Sequence, residues 1–246
     1  LEYLKRFVSD WLATKSTSAN STLIVADDGS SDGTIEWLEE LELKDSRLIV
    51  IRNNGSGIAR QSNSILDAIS KMKIDIDAVF MCNDDIRFRK SGWDVAYLES
   101  MQYSGFDHLV YFNPEWKEPS HSEKFQGKAD LVSFCTPREA MGCFYTLTPK
   151  LIERLGFFDE SSFPVRGHSH VDYTMRACRC EANDGQFLFD MNNSNTLIGM
   201  VLREGYKRTF RTLSVKEMHS TTSENELAKR EAVLLTEDRI FVPRGW

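Results

Sequence analysis

Apolar runs of strand length alternate with segments of helical period through residues 1–82, and that alternation leaves few folds open. Residues 22–26 (Thr-Leu-Ile-Val-Ala), 47–52 (Arg-Leu-Ile-Val-Ile-Arg) and 77–82 (Asp-Ala-Val-Phe-Met-Cys) are short, β-branched or aromatic, and bounded by polar turns. Between them, Ile58, Ile65, Leu66, Ile69 and Met72 fall on one face of a helix that reaches Lys73. Residues 35–41 repeat that spacing behind an Asp32 or Thr34 cap, and Leu1, Leu4, Val8 and Trp11 mark a helix over residues 1–13. Strands joined through helices run parallel, because a tight hairpin joins only antiparallel neighbours. The expected fold is α/β, with a mostly parallel, mixed central sheet and helices on both faces.

The alternation weakens after residue 90. Residues 91–102 have helical character, 108–112 and 129–134 look like strands, and 113–128 form a long polar loop carrying Trp116. Long loops in compact domains are often lids or binding segments. Thr148-Pro149 starts a helix that Gly156 ends, and residues 171–180 form another. With 246 residues, 41% of them apolar, the chain can bury one substantial core. A formal charge of −7 gives no general attraction for nucleic acid, so phosphate must be held by a metal ion or by local backbone donors. No apolar stretch is long enough to span a bilayer. Five cysteines without CxxC pairs fit a reduced, cytoplasmic setting.

Two acidic clusters follow strands. Asn83-Asp84-Asp85 caps the third apolar run, and Asp27-Asp28 caps the first. Ligand crevices open at the carboxyl ends of strands in α/β folds, and hard oxygen donors there suit Mg²⁺ or Mn²⁺ sharing its shell with phosphate. Asp28, Ser30, Asp32, Gly33 and Glu39 also match a calcium-loop spacing. That loop needs helices on both sides, and here a strand precedes it. Gly55-Ser56-Gly57 opens a helix whose first turn carries Arg60, an arrangement able to face an anion. His168, His170 and Asp172 lie at another helix start, where an imidazole or carboxylate can serve as a base, or Asp172 can simply cap the helix.

Taken in chain order, these pieces resemble the family 2 glycosyltransferases of the GT-A fold over residues 1–179, with a looser match to His219. Residues 24–34 (Ile-Val-Ala-Asp-Asp-Gly-Ser-Ser-Asp-Gly-Thr) look like the family's VDDGSxDGT segment, and residues 54–63 like the segment that follows its next strand. Asn83-Asp84-Asp85 is similar to the family's DxD motif with Asn first. Residues 141–144 (Met-Gly-Cys-Phe) and 155–160 (Leu-Gly-Phe-Phe-Asp-Glu) resemble its acceptor-side segment.

The resemblance implies a single domain over residues 1–246, with a nucleotide-sugar half (1–90) followed by an acceptor half (91–246). It implies that Asp27, Asp28, Arg60, Asn63 and Asp84 contact the donor, most simply a UDP-sugar. Asp85, with Asn83 and His219, would hold Mn²⁺ or Mg²⁺. The acceptor would be a glycan hydroxyl in polysaccharide or glycoconjugate synthesis, whose oxygen attacks the sugar's anomeric carbon with inversion. A lipid-carried acceptor would bring the protein to the inner face of a membrane as a peripheral visitor.

The chain departs from the family pattern twice. Ser169-His170-Val171-Asp172 stands where the family carries Glu-Asp-x-Asp, so His170 occupies the position of the usual base, with Asp172 as the alternative. The family also opens with a strand that this chain lacks, which reads as a piece of a longer protein. Two other functions fit less of the sequence. A nucleotidyltransferase would show a basic glycine-rich loop near its start, and a degenerate nucleotide-sugar or glycan-binding module would bind without turnover.

Overall fold

The computed structural model describes residues 1–17, 20–55, 57–72, 74–112, 131–134, 142–163, 169–183, 188–200 and 224–244. Helix α1 (Glu2–Thr14) buries Leu4, Phe7, Val8 and Trp11, the i, i+3, i+4, i+7 stripe of an amphipathic helix. Strand β1 (Leu23–Asp27), helix α2 (Thr34–Glu42), strand β2 (Leu48–Arg52), helix α3 (Ile58–Met72) and strand β3 (Val79–Cys82) follow in the order the alternation predicts. Strand β1 pairs in parallel with β2, from Leu23 opposite Leu48 to Asp27 opposite Arg52. The loop after β1 therefore joins a strand to a helix and is no EF-hand. Gly33, at φ +84°, takes the N-cap position of α2, while Asp32 accepts from the Thr34 hydroxyl at 2.5 Å.

The later elements are strand β4 (Ile86–Phe88), helix α4 (Trp93–Ser104), strands β5 (Leu131–Phe134) and β6 (Phe144–Leu147), and helices α5 (Pro149–Leu155) and α6 (Ser169–Arg179). Strands β7 (Leu188–Met191) and β8 (Ile198–Met200) and helix α7 (Glu224–Leu234) complete the order. Three antiparallel ladders join β3 to β6, β4 to β8 and β5 to β7. The architecture is thus α/β with parallel and antiparallel pairing. Thr148 caps α5, its hydroxyl accepting from the Leu151 amide at 3.1 Å with Pro149 at the first turn, as Thr148-Pro149 predicts. No helix among the described residues is long and apolar enough to cross a membrane.

Aromatic packing holds the centre. Trp93 stacks on Phe88 at 4.1 Å between ring centroids, and Phe80, Tyr97 and Phe144 close around them. Phe7 of α1 meets Phe88 at 5.3 Å, which seats that helix over β4. Each large apolar side chain so buried contributes about 1.5–3 kcal/mol. A second cluster, around Leu147, Leu151, Leu155, Phe158 and Tyr173, packs α5 and α6 behind β6.

Residues 108–112 differ from the strand predicted for them. Among the described residues they make an isolated bridge, Val110 with Tyr145, rather than a ladder. Side chains take three of their amides: His108 N–H donates to Asn183 Oδ1 at 3.2 Å, Leu109 N–H to Thr146 Oγ1 at 2.8 Å, and Phe112 N–H to Asp190 Oδ2 at 2.8 Å. The His108 ring is fully buried, bridging the Thr146 carbonyl at 2.8 Å and the Thr174 hydroxyl at 3.0 Å. Burial pushes its pKa down to about 4, so it is a neutral structural residue.

Candidate functional site

Two turns at the carboxyl ends of β1 and β2 are bonded into one surface. Asp27, 6% exposed, accepts from the Gly29 and Ser30 amides at 2.9 Å each, folding the chain back immediately after the strand. Its carbonyl accepts from Asn53 N–H at 2.8 Å, and the Asp28 carbonyl from Gly55 N–H at 3.1 Å. The Asp28 carboxylate accepts from Gly57 N–H at 3.1 Å and from the Gln61 amide. Gly29, at φ +84°, takes the left-handed backbone that turns the chain after Asp28, a conformation glycine adopts without steric cost. Arg60 is exposed on the first turn of α3.

Gln61 is a member of this surface that sequence reasoning did not single out. Its carbonyl accepts from Asn53 Nδ2 at 2.8 Å while its amide holds Asp28. Its position directly after Arg60 was the available signal.

The acidic turn after β3 is tight, with Ile86 N–H donating to the Asn83 carbonyl at 3.3 Å. Asn83 and Asp84 are exposed, and Asp85 is 7% exposed. The β3–β6 ladder puts Cys82 opposite Phe144, and Asn83 N–H continues it to the Cys143 carbonyl at 2.9 Å. Burial pushes the Cys143 thiol up to about 12, and the Asp85 charge adds to that. Cys143 is thus an inert neighbour of the acidic turn, not a nucleophile.

Gly142, one residue earlier, carries the next contact. A Cβ there would lie 2.4 Å from Cδ2 and Cγ of His170 and 2.7 Å from Nδ1. The half-buried imidazole at the start of α6 therefore rests on bare backbone beside the residue that pairs with Asn83. Among the described candidate bases, His170 is the one whose ring lies against Gly142, next to the residue that pairs with Asn83.

Asp172 has a different environment. It is fully buried and accepts from Arg176 Nε at 3.0 Å and from Arg239 Nη1. Arg176, also fully buried, donates from its two terminal nitrogens to the carbonyls of Leu155 (2.7 Å), Phe157 (2.9 Å) and Ile240 (3.1 Å). Desolvation lowers the Arg176 pKa, opposed by the Asp172 charge. Arg239 completes the group by donating to Asp159 at 2.5 Å.

Asn63 faces the same region from α3. Its amide donates to the Phe158 carbonyl at 2.9 Å and to Glu160 at 2.8 Å, and its oxygen accepts from Phe158 N–H at 2.7 Å. It clamps residues 158–160 and lies two positions from Gln61. Arg176 and Arg239 were not anticipated, although the Asp172–Arg176 spacing of four was visible. His168, His219 and residues 113–128 with Trp116 lie outside the described residues.

Among the described residues, no three His, Cys, Asp or Glu side chains gather into a cage for a metal ion. The donors at residues 83–85 are oxygens from an amide and two carboxylates. That set fits Mg²⁺ or Mn²⁺, ions commonly held by one or two carboxylates with substrate phosphates supplying the rest. A strand-end turn of this kind, beside a helix-borne imidazole, can hold a charged leaving group and accept a proton.

Known proteins share this arrangement of elements. A mannosyltransferase from Pyrobaculum calidifontis, solved with GDP-Man and Mn²⁺, superposes with a TM-score of 0.55 at 13% identity, over 78% of this chain and 52% of that one. TarS of S. aureus, residues 1–349, gives 0.53 at 13% identity over 77% and 57%. This chain thus spans about half the length of the solved structures it matches. An uncharacterized glycosyltransferase of Acanthamoeba polyphaga mimivirus is 27% identical over 179 residues, 73% of this chain and 67% of that protein. The model of glycosyl transferase family 2 matches residues 1–184, so the chain, which shares the GT-A fold of these neighbours, belongs to that family.

Proposed function

We propose that the protein transfers a sugar from a nucleotide diphosphate sugar, a UDP-sugar in the first instance, to a glycan hydroxyl with inversion. One observation carries this reading: the His170 ring rests on Gly142, whose neighbour Cys143 pairs with Asn83 of the acidic turn. A proton acceptor and the leaving-group end of the donor then share one site. Asp27 and Asp28, with Arg60 on the adjoining helix turn, receive the base and ribose; Asp84 faces the donor.

His170 takes the proton of the acceptor hydroxyl as its oxygen bonds to the anomeric carbon. The bond from that carbon to the diphosphate oxygen breaks, and a single displacement inverts the centre. Asp85, with Asn83 and with His219 from beyond the described residues, would hold Mn²⁺ or Mg²⁺. That ion supplies charge stabilisation to the departing diphosphate. Asp172, enclosed by two guanidinium groups, supports the helix in this scheme rather than meeting substrate.

The UDP preference rests on the family resemblance, while the Pyrobaculum neighbour was solved with GDP-Man. The test is calorimetric titration of UDP and GDP with and without Mn²⁺, on the wild type and on Asp85→Ala, followed by turnover with the matching sugar donors. Metal-dependent binding that Asp85→Ala abolishes, with turnover, is the expected result. GDP bound in preference to UDP corrects the donor. Nucleotide binding without turnover would favour a catalytically silent binding module, a reading motivated by Ser169-His170 in place of Glu-Asp.

A further inference from the structure

We propose that Arg239, in the segment after α7, is a positioning residue for the transfer reaction, holding the helix that presents His170; the inference rests on His170 being the base. Arg239 reaches two carboxylates on different elements: Asp172 on α6, and Asp159 at 2.5 Å in the segment after α5. Arg176 binds Asp172 from the other side, so two carboxylates and two guanidinium groups form one neutral cluster. Asp172 and Arg176 are fully buried, and the Arg239 side chain is 18% exposed. Charges this desolvated hold their geometry firmly, and removing one partner leaves another uncompensated.

The backbone around Arg239 is fixed as well. Arg179 donates to the Arg239 carbonyl at 3.3 Å and to that of Leu234. Val242 N–H donates to the Leu155 carbonyl and Phe157 N–H to the Val242 carbonyl, both at 2.9 Å. Gly156 makes this docking possible, since a Cβ there would lie 2.2 Å from Val242 O. Arg239 is thus delivered to the cluster by a bonded strap, not by a loose tail.

The cluster bears on the reaction through short connections. His170 lies two residues before Asp172, on the same first turn of α6. Asp159 lies between Phe158 and Glu160, which Asn63 of α3 clamps from the donor side. Arg239 therefore joins the base-bearing helix to the segment that α3 holds, which sets the His170 ring over Gly142 relative to the donor surface. Arginine suits this task, because its planar fork can serve two carboxylates at once where a lysine ammonium acts as a point charge.

The experiment compares Arg239→Met, Arg239→Lys and Asp159→Asn with wild type in three readouts: donor Kd with Mn²⁺, steady-state kcat and KM with acceptor, and Tm. We expect donor Kd to stay within twofold while kcat falls 10- to 100-fold in Arg239→Met, the scale of a misplaced catalytic group. Arg239→Lys should recover part of that loss, and Asp159→Asn should fall between it and wild type. Should Arg239→Met not fold, the other two variants carry the comparison. A wild-type kcat in folded variants whose Tm has dropped would overturn the proposal, leaving Arg239 a purely structural residue. So would donor Kd and kcat worsening together. A wild type that turns over no nucleotide sugar would instead overturn the transferase reading, and this inference with it.

Discussion

Replacing Gly142 by alanine isolates the contact on which the catalytic reading depends. At Gly142 φ is +53°, and a Cβ would sit 2.4 Å from two His170 ring atoms, where ordinary contact begins at 3.4 Å. The ring must therefore retreat by about 1 Å, the gap between that overlap and ordinary contact. Alanine in the left-handed region costs about 1–2 kcal/mol, tolerable for a domain of about 5–15 kcal/mol stability. A catalytic group displaced on this scale costs on the order of 10²-fold, or about 2.7 kcal/mol of transition-state stabilisation. Initial rates of nucleotide release with acceptor, alongside donor Kd and Tm, are the assay. His170→Ala should lose about 10²–10⁴-fold. In the His170→Ala background, Gly142→Ala should cost almost nothing more, because both changes remove the same positioned imidazole. A folded Gly142→Ala enzyme with wild-type kcat would refute the reasoning, as would simple additivity of the two changes.

Asn63→Ala leaves the Phe158 amide and carbonyl without their side-chain partner, and should lower stability by about 2–4 kcal/mol in urea denaturation. A loss under 1 kcal/mol would mean that water replaces Asn63 at low cost. Asp172→Asn removes the charge between Arg176 and Arg239 and should destabilise by about 3–5 kcal/mol; a variant of unchanged Tm would show that the cluster holds nothing. Two buried groups should oppose each other in acid. Burial lowers the His108 pKa to about 4, so its neutral folded form contributes stability that is lost as pH falls from about 6.5 toward 4. Burial raises the Asp190 pKa to about 6, so the folded protein takes up that proton first and gains stability as pH falls from 6 toward about 4. Each slope is worth about 3 kcal/mol, so Asp190→Asn should lose about that much more stability than wild type between pH 6.5 and 4. Parallel stability curves for the two proteins would contradict the buried state of Asp190.

What the sequence reveals of this molecule follows the range of the interactions involved. The Asp27 turn is legible because its partners, the Gly29 and Ser30 amides, lie two and three residues away. The cap at Thr148 is legible for the same reason. Residues 108–112 carry strand composition, yet Asn183 and Thr146, 75 and 37 residues distant, claim two of that segment's amides. No local pattern announces such partners. Asn63 shows the same limit within the site. It matches a donor-side segment by its place in the chain, while its side chain is committed to residues 95 and 97 positions later.

The start of α6 brings these threads together. Ser169-His170 replaces an acidic pair, and from composition alone that change reads equally as an altered base or a lost activity. The structure supplies a physical reason to favour the altered base. An imidazole is bulkier than a carboxylate, and here it occupies space that any side chain at Gly142 would fill. Ser169 beside it is small and 3% exposed, so the helix can enter the packed region closely. Asp172 takes no free share in this arrangement, because Arg176 and Arg239 already enclose it. A lost site has no need of a glycine beneath its ring or of a buried ionic cluster two residues beyond it. In the proposed scheme, that glycine and that cluster together keep His170 in register for proton transfer.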